Sequence, residues 1–262
     1  MKKVALVSIC LNKPYWQYIV PMFQSAEKFF LKGHEVNFIV WSDMLPESVT
    51  GIKVIPTEPF EWPLPTLYRY HLFLKQEELL RDYDYVFYCD ADMEFVSPVG
   101  DEILGEGLTG AQHPMYATRI EYIPPYEPNK ESTAFIPRPG RVLTDDNGKK
   151  RFEPLYFAGG FQGGRTDDFI KAMKVMKDNI DKDFSRNYIA IWNDETHWNK
   201  YLFDNPPAVV LSPSYIYPDS LNRAYYQRVW GKNHVPKLIT ITKPFSLSQE
   251  GGLHVQQASK NL

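Results

Sequence analysis

The sequence predicts an α/β fold: a mixed, mainly parallel, Rossmann-like sheet flanked by helices. Three observations predict it. Strand-like and helix-like segments alternate over the first ~100 residues. Two of the strand-like runs, Lys3–Cys10 (KVALVSIC) and Tyr85–Cys89 (YVFYC), are apolar and rich in β-branched or aromatic residues, as buried strands are. The second run leads straight into Asp90-Ala91-Asp92, two carboxylates at the carboxyl end of a strand, where open α/β sheets bind ligands.

The elements follow in order. After the Lys3–Cys10 strand, residues Tyr15–Leu31 carry Ile19, Met22, Phe23, Ala26, Phe29 and Phe30 at helical spacing, with Gly33 as the stop. Val36–Trp41 is a second strand with Asp43 just beyond it, and Ile52–Ile55 a short third. Thr66 is expected to cap a helix running to Leu80. From His113 to Pro154 prolines are frequent and periodicity is weak, which implies loops and short strands. Arg138–Glu153 is polar, holds the turn signal Asp-Asn-Gly, and reads as a surface insertion. Thr166 is expected to cap a helix to Lys182, with Asp167 and Asp168 in its first turn. A further helix is expected from Arg186 to Phe203, ending before Pro206. The tail from Arg223 is poorly periodic.

Composition narrows the class. At 262 residues the chain suits one large α/β domain or two small ones, and the lack of repeats or a linker favours one. A net charge of −3 with interspersed signs offers no footprint for nucleic acid. No apolar run reaches the ~20 residues of a membrane span. With a strand starting at Lys3 there is no room for a leader, so a cytoplasmic enzyme is expected. The two cysteines, Cys10 and Cys89, each end a buried strand and are expected to be reduced core thiols.

Three motifs carry chemistry. Two carboxylates at Asp90 and Asp92 need compensation if they lie near a buried strand end. A divalent cation on a diphosphate supplies it, and hard carboxylate oxygens suit Mn²⁺ or Mg²⁺. That points to a nucleotide-diphosphate site, with a solvated acidic turn as the bland alternative. In Trp192–Lys200 (WNDETHWNK), helical spacing would put Trp192, Glu195 and Asn199 on one face. An aromatic platform with a carboxylate and an amide suits a sugar, though a plain amphipathic helix would read the same way. In Tyr156–Gly164 (YFAGGFQGG), two Gly pairs interrupt a strand-like run, which allows close approach of a ligand or another chain, or marks a bulge.

Taken in order, these motifs resemble glycosyltransferase family 6, the group of the histo-blood group A/B transferases, the α1,3-galactosyltransferase and bacterial-type relatives. The matching pieces are Asp90-Ala91-Asp92, His113-Pro114, Ser132–Pro137 (STAFIP), Gly159–Gly164, Trp192–Tyr201, Asn205-Pro206-Pro207 and Leu211–Tyr215 (LSPSY), within residues 3–222. The resemblance implies a GT-A fold and a retaining α1,3-glycosyltransferase. Such an enzyme moves N-acetylgalactosamine or galactose from a UDP-sugar to a β-galactoside-type glycan or glycolipid acceptor. It implies Glu195 as the catalytic carboxylate, Asp90 and Asp92 as the Mn²⁺ ligands, and Asp194 and Arg69 at the donor sugar. Ile9, Cys10 and Leu11 match the uridine-binding strand end, and His113 and Trp192 match acceptor contacts. Ala158, Gly159 and Gly160 match the donor-selecting positions, where Gly in the third place goes with N-acetylgalactosamine and Ala with galactose. The nucleotide-binding part would cover about residues 1–110, the acceptor part about 111–222, and the tail 223–262.

The departures lie mainly on the acceptor side. The family's uracil-stacking aromatic falls at Pro14, with Tyr15 beside it as a substitute. The family's Tyr-Glu-Arg-Arg stretch reads Tyr126-Glu127-Pro128-Asn129, and the His of Trp-His-Asp-Glu is Asn193. The terminal Arg-Lys pair is missing, which leaves Lys243 as the diphosphate partner. Two other classes stay open on sequence: a sugar-nucleotide pyrophosphorylase, disfavoured because Ile9–Pro14 contains no Gly, and an inactive carbohydrate-binding protein.

Overall fold

The computed structural model describes residues 1–12, 15–44, 51–117, 124–137, 141–144, 150–153, 155–219 and 235–242. Strand β1 (Lys3–Cys10) lies at the heart of a seven-stranded sheet. Beside it are β2 (Glu35–Ser42) and β3 (Ile52–Pro56) on one side and β4 (Tyr85–Cys89) on the other, all parallel. Beyond β4 the long β9 (Phe157–Arg165) runs antiparallel, between β4 and β6 (Leu108–Gln112). Parallel to β6, β10 (Val209–Leu211) closes the edge. The expected α/β fold with a mixed, mainly parallel sheet is therefore present.

Side chains of β1 alternate between the two faces, as the period of two requires. Val4 and Leu6 join a core with Ile19, Met22, Phe23 and Ala26 of α1 (Trp16–Phe29). Ala5 and Val7 join a second core with α3 (Arg69–Leu74), α5 (Thr166–Phe184) and α6 (Asn193–Asp204). Among the described residues no helix is long and apolar enough to cross a membrane.

Several boundaries differ from the sequence expectation. α1 ends at Phe29, and the reversal after it is made by Leu31 with φ 44°, not by Gly33. The single helix expected from Thr66 to Leu80 is three short ones: α2 (Leu64–Leu67), α3 and α4 (Glu77–Arg81). Thr66 lies inside α2 and turns its hydroxyl back to the Pro63 carbonyl rather than capping. Pro63 and Pro65 fall at the N-cap and in the first turn of α2, where no helical N–H is needed; the breaks come later, at Tyr68 and at Lys75–Gln76. Arg165, not Thr166, is the N-cap of α5; the Thr166 hydroxyl instead donates to the Tyr83 carbonyl at 2.6 Å. α6 starts at Asn193 rather than Arg186. Within the expected insertion, β7 (Arg141–Thr144) pairs antiparallel with β8 (Lys150–Glu153), and the Asp-Asn-Gly turn between them lies outside the described residues. In the tail, β12 (Leu238–Thr240) pairs antiparallel with β5 (Met93–Phe95), the strand that follows Asp92, and parallel with β11 (Tyr217–Pro218).

The second Gly pair is needed for β9 to lie in the sheet. A Cβ on Gly163 would stand 2.3 Å from the Val86 carbonyl oxygen and 2.7 Å from the Phe87 Cα, both backbone atoms of β4. Gly163→Ala must push β9 off β4 and is expected to cost about 3 kcal/mol or more in urea unfolding. Gly33→Ala, where nothing lies within 4 Å, is the control and is expected to be near neutral. Equal effects of the two would contradict this packing.

Candidate active site

The site forms where the carboxyl end of β4, the first half of β9, the first turn of α6 and the start of α3 meet. Asp90 follows β4 directly, and its backbone N–H donates to the Gly160 carbonyl at 2.9 Å. One Asp90 carboxylate oxygen, Oδ1, accepts the Tyr88 hydroxyl and lies 3.6 Å from the Arg69 guanidinium. Asp92 is half-buried, and its carbonyl accepts the Ile241 N–H at 2.8 Å, so the 235–242 segment is fastened to the Asp-Ala-Asp turn.

Arg69 is buried at the centre. Its Nη1 lies 3.2 Å from Asp194 Oδ2 and donates to the Gly159 carbonyl at 3.2 Å; its Nε donates to the Thr66 carbonyl. The guanidinium stands 4.1 Å from the centre of the Tyr88 ring, a cation–π contact. Burial would push the Arg69 pKa down, but the Asp194 and Asp90 carboxylates outweigh it and keep the cation protonated. Asp194 itself is pushed up to about 6, burial raising it more than Arg69 lowers it. Its Oδ2 pairs with Arg69 by charge but accepts no hydrogen bond, which leaves a buried acceptor at the site.

Glu195 is the second carboxylate of the α6 first turn, where the helix dipole favours negative charge. Its Oε2 accepts the Gly159 N–H at 2.8 Å. The buried Tyr156 hydroxyl faces the same carboxylate without closing a hydrogen bond. Solvent reaches part of Glu195, yet the surrounding protein desolvates it enough to push it up to about 7; Gly159 and Tyr156 oppose the rise, and Asp194 and Asp90 add to it. The two site glycines admit these groups. A Cβ on Gly159 would stand 3.2 Å from Glu195 Cβ, and one on Gly160 would stand 2.8 Å from both Asp90 Oδ2 and Ile216 Cδ1.

His113 follows β6, and its ring contacts Tyr116 and Tyr156, with centroids 4.9 and 5.8 Å away. Burial lowers it to about 4, so it is neutral at pH 7. With Nδ1 accepting the Met115 N–H, the ring proton sits on Nε2 and is available to donate. Trp192 is not on the helix face with Glu195 and Asn199. It is the N-cap residue of α6, half-exposed, and Asn193 after it turns the chain with φ 51°. Asn199 is structural: its Oδ1 accepts the Phe157 N–H at 2.7 Å and its Nδ2 donates to the Phe157 carbonyl at 2.8 Å, tying α6 to β9.

Of the other residues expected from sequence, Ile9 and Cys10 end β1, paired with Trp41 and Ser42 of β2, and Leu11 follows directly after the strand. Asn12 there adopts φ 72° and its N–H reaches the Asp43 carboxylate at 3.2 Å. The Cys10 thiol, first through burial and then through Asp43, is pushed up to about 12 and stays protonated; both cysteines are free. Ala158 is buried with its side chain in the α1-side core. Tyr15 is the N-cap of α1, and Lys243 and Pro14 lie outside the described residues. Sequence reasoning missed Tyr88, Tyr156, Tyr70 and Gln162. The Tyr70 hydroxyl donates to Gln162 Oε1 at 3.0 Å, and Gln162 Nε2 donates to the Gly159 carbonyl at 2.9 Å. A glutamine inside an otherwise apolar strand was the one available signal, since a buried amide needs partners.

Residues 3–238 match glycosyltransferase family 6, and the chain belongs to that family. Its mixed sheet with the site at the strand ends is GT-A-like. Among its relatives, it is 29% identical to globoside alpha-1,3-N-acetylgalactosaminyltransferase 1 of Homo sapiens over 216 residues, 78% of this chain and 58% of that protein. It is 30% identical to histo-blood group ABO system transferase 1 of Rattus norvegicus over 220 residues, 80% of this chain and 59% of that one. It is 27% identical to the O-antigen biosynthesis glycosyltransferase WbnI of Escherichia coli over 235 residues, 88% of this chain and 91% of the relative. The chain thus spans under two-thirds of the length of the two animal proteins.

The raised pKa of Glu195 has a stability consequence. A carboxyl whose folded pKa exceeds its ordinary 4.5 favours folding below that value and loses the contribution as pH rises through about 7. Glu195→Gln should therefore be more stable than wild type at pH 8, with the gain shrinking as pH falls from 7 towards 4.5. Urea midpoints at pH 8 and pH 4.5 test this; a Gln variant weaker than wild type at pH 8 would contradict it.

Proposed function

We propose that this chain acts as one GT-A catalytic domain, a retaining α1,3-glycosyltransferase that moves N-acetylgalactosamine from its UDP-sugar to a β-galactoside-type acceptor. The observation that carries the reading is the paired carboxylates of the α6 first turn, in a chain belonging to a glycosyltransferase family. Asp194, held by Arg69, offers a buried oxygen without a hydrogen bond, the group a sugar hydroxyl would fill. Glu195, held by the Gly159 N–H, offers a carboxylate one residue away. In this reading Asp194 orients the donor sugar, and Glu195 either stabilises the positive charge developing at the anomeric carbon or bonds to that carbon as its bond to UDP breaks. His113 donates from Nε2 to an acceptor hydroxyl, and half-exposed Trp192 supplies the apolar platform.

Asp90 and Asp92 suit a hard cation. Both carboxylates are half-buried at the strand end, and among the described residues no cluster of three or more His, Cys, Asp or Glu could hold a metal alone. A cation on this pair would keep coordination positions open for a diphosphate. We assign Mn²⁺, or Mg²⁺, to it; when bound, the ion neutralises charge on the UDP leaving group. Family membership speaks against a pyrophosphorylase, and the completeness of the Arg69–Asp194–Glu195 cluster speaks against an inactive binding protein.

Donor choice follows from Gly160. A methyl there would compete with the donor's 2-acetamido group and would also press on Asp90 Oδ2 and Ile216 Cδ1. With glycine no methyl stands beside Asp90 and Ile216, which in this reading favours UDP-N-acetylgalactosamine. A one-methyl difference is worth about 1–3 kcal/mol, so some galactose transfer should persist.

A direct assay tests the reading. The protein is incubated with UDP-N-acetylgalactosamine or UDP-galactose and a panel of β-galactosides, with and without EDTA, and the product linkage is read by NMR. The expected outcome is an α1,3-linked product, N-acetylgalactosamine preferred, lost with EDTA and restored by Mn²⁺. Glu195→Gln should lower kcat by about 10²–10³-fold. No transfer to any acceptor would overturn the activity, a preference for UDP-galactose the donor assignment, and full activity in EDTA the metal assignment.

A further inference from the structure

We propose that Glu127 is a positioning residue for the acceptor: its buried carboxylate fixes the loop that presents Trp192 and takes no part in the chemistry at Glu195. The inference rests on the acceptor role given to Trp192 above.

Glu127 is 2% exposed, which is unusual for a carboxylate and costly unless its oxygens are satisfied. They are satisfied by groups that converge from two segments. Oε1 accepts the Asn129 N–H at 2.9 Å and the Tyr188 hydroxyl at 2.5 Å, and Oε2 accepts the Ile191 N–H at 2.9 Å. Two of the three donors therefore belong to the short stretch 188–192 that leads into α6. That stretch ends in the exposed pair Ile191 and Trp192, followed by the left-handed turn at Asn193. The Trp192 N–H is itself held by the Thr196 hydroxyl at 2.9 Å; the bonds to Glu127, stronger than neutral ones because the acceptor is charged, fix the residues before it, Tyr188 and Ile191.

The rest of α6 does not need Glu127. Thr196, His197, Trp198 and Asn199 are buried, Asn199 pairs with both polar groups of Phe157, and Asp194 pairs with Arg69. The neighbouring buried carboxylate, Asp183, does a different job. It accepts the Ser132 hydroxyl at 2.6 Å and the Thr133 N–H at 2.9 Å, clamping the 132–133 turn to the end of α5. Loss of Glu127 should thus free the Trp192 loop while leaving the donor side in place.

Two variants test this. Glu127→Gln keeps the volume but sets an amide N–H₂ against one of the donors, and Glu127→Ala removes all three bonds. Two readings are taken on each. The first is acrylamide quenching of Trp192 fluorescence, obtained as the difference between each protein and its Trp192→Phe counterpart. The second is kinetic: KM for lactose, and the rate of UDP-N-acetylgalactosamine hydrolysis without acceptor. We expect greater quenching of Trp192, an acceptor KM raised about tenfold, the scale of lost hydrogen bonds to a charged group, and unchanged donor hydrolysis. Unchanged quenching, an unchanged acceptor KM, or a parallel fall in donor hydrolysis would each overturn the proposal, the last by marking Glu127 as a general structural residue. If wild type hydrolyses the donor but transfers to no β-galactoside, the acceptor reading falls first, and this inference with it.

Discussion

A single buried cation organises the site. Arg69 is 4% exposed and must have anionic partners to be there. It finds them in Asp194 and Asp90, which arrive on different elements, α6 and the end of β4, and it adds the Gly159 carbonyl of β9 and the face of Tyr88. The cation therefore sets the spacing of three elements at once. It also limits the acidity of the site: without it, Asp194, Asp90 and Glu195 would repel one another in a region of low solvation. The Gly159 residue extends the arrangement, with its carbonyl on Arg69 and Gln162 and its N–H on Glu195. Each carboxylate thus has a fixed orientation set by backbone or by a buried side chain, as preorganised electrostatic sites require.

The absence of side chains at four β9 positions makes this close approach feasible. Gly163 and Gly164 let β9 fit between β4 and β6, and Gly159 and Gly160 let α6 and Asp90 reach the strand from its two faces. Asn199 then locks the helix at the right height by pairing with Phe157. Packing and function are therefore coupled in β9: the residues that would fill a sheet elsewhere are missing here, and polar groups of the site occupy the freed volume.

Much of this was legible in the sequence, for physical reasons that differ by element. The strands β1, β2 and β4 announced themselves through mainly apolar runs, because β4 and most of β1 are buried on both faces, as is the second half of β2. The Gly pairs and Asp90-Ala91-Asp92 were legible because they violate the usual chemistry of a strand and its end. The helices near the site were harder. Local signals favoured one helix from Thr66, but the chain breaks at Tyr68 and again at Lys75–Gln76, where the sequence carries no Gly or Pro to mark a stop. The start of α6 was hidden because Asn193 adopts a left-handed conformation, which no periodicity reveals. Tyr88, Tyr156 and Glu127 could not be read at all. Glu127, for one, depends on Tyr188 and Ile191, 61 and 64 residues away, which only the fold brings near.

The claim that Arg69 and the α6 carboxylate form one coupled unit is tested most directly by a double-mutant cycle in urea unfolding, using Arg69→Met, Asp194→Asn and the pair together. Removing one partner of a buried ion pair should cost about 3–5 kcal/mol, because the other is left uncompensated. The double variant is expected to lose far less than the sum of the singles, with a coupling of about 2 kcal/mol or more. Additive losses, within about 0.5 kcal/mol, would contradict it.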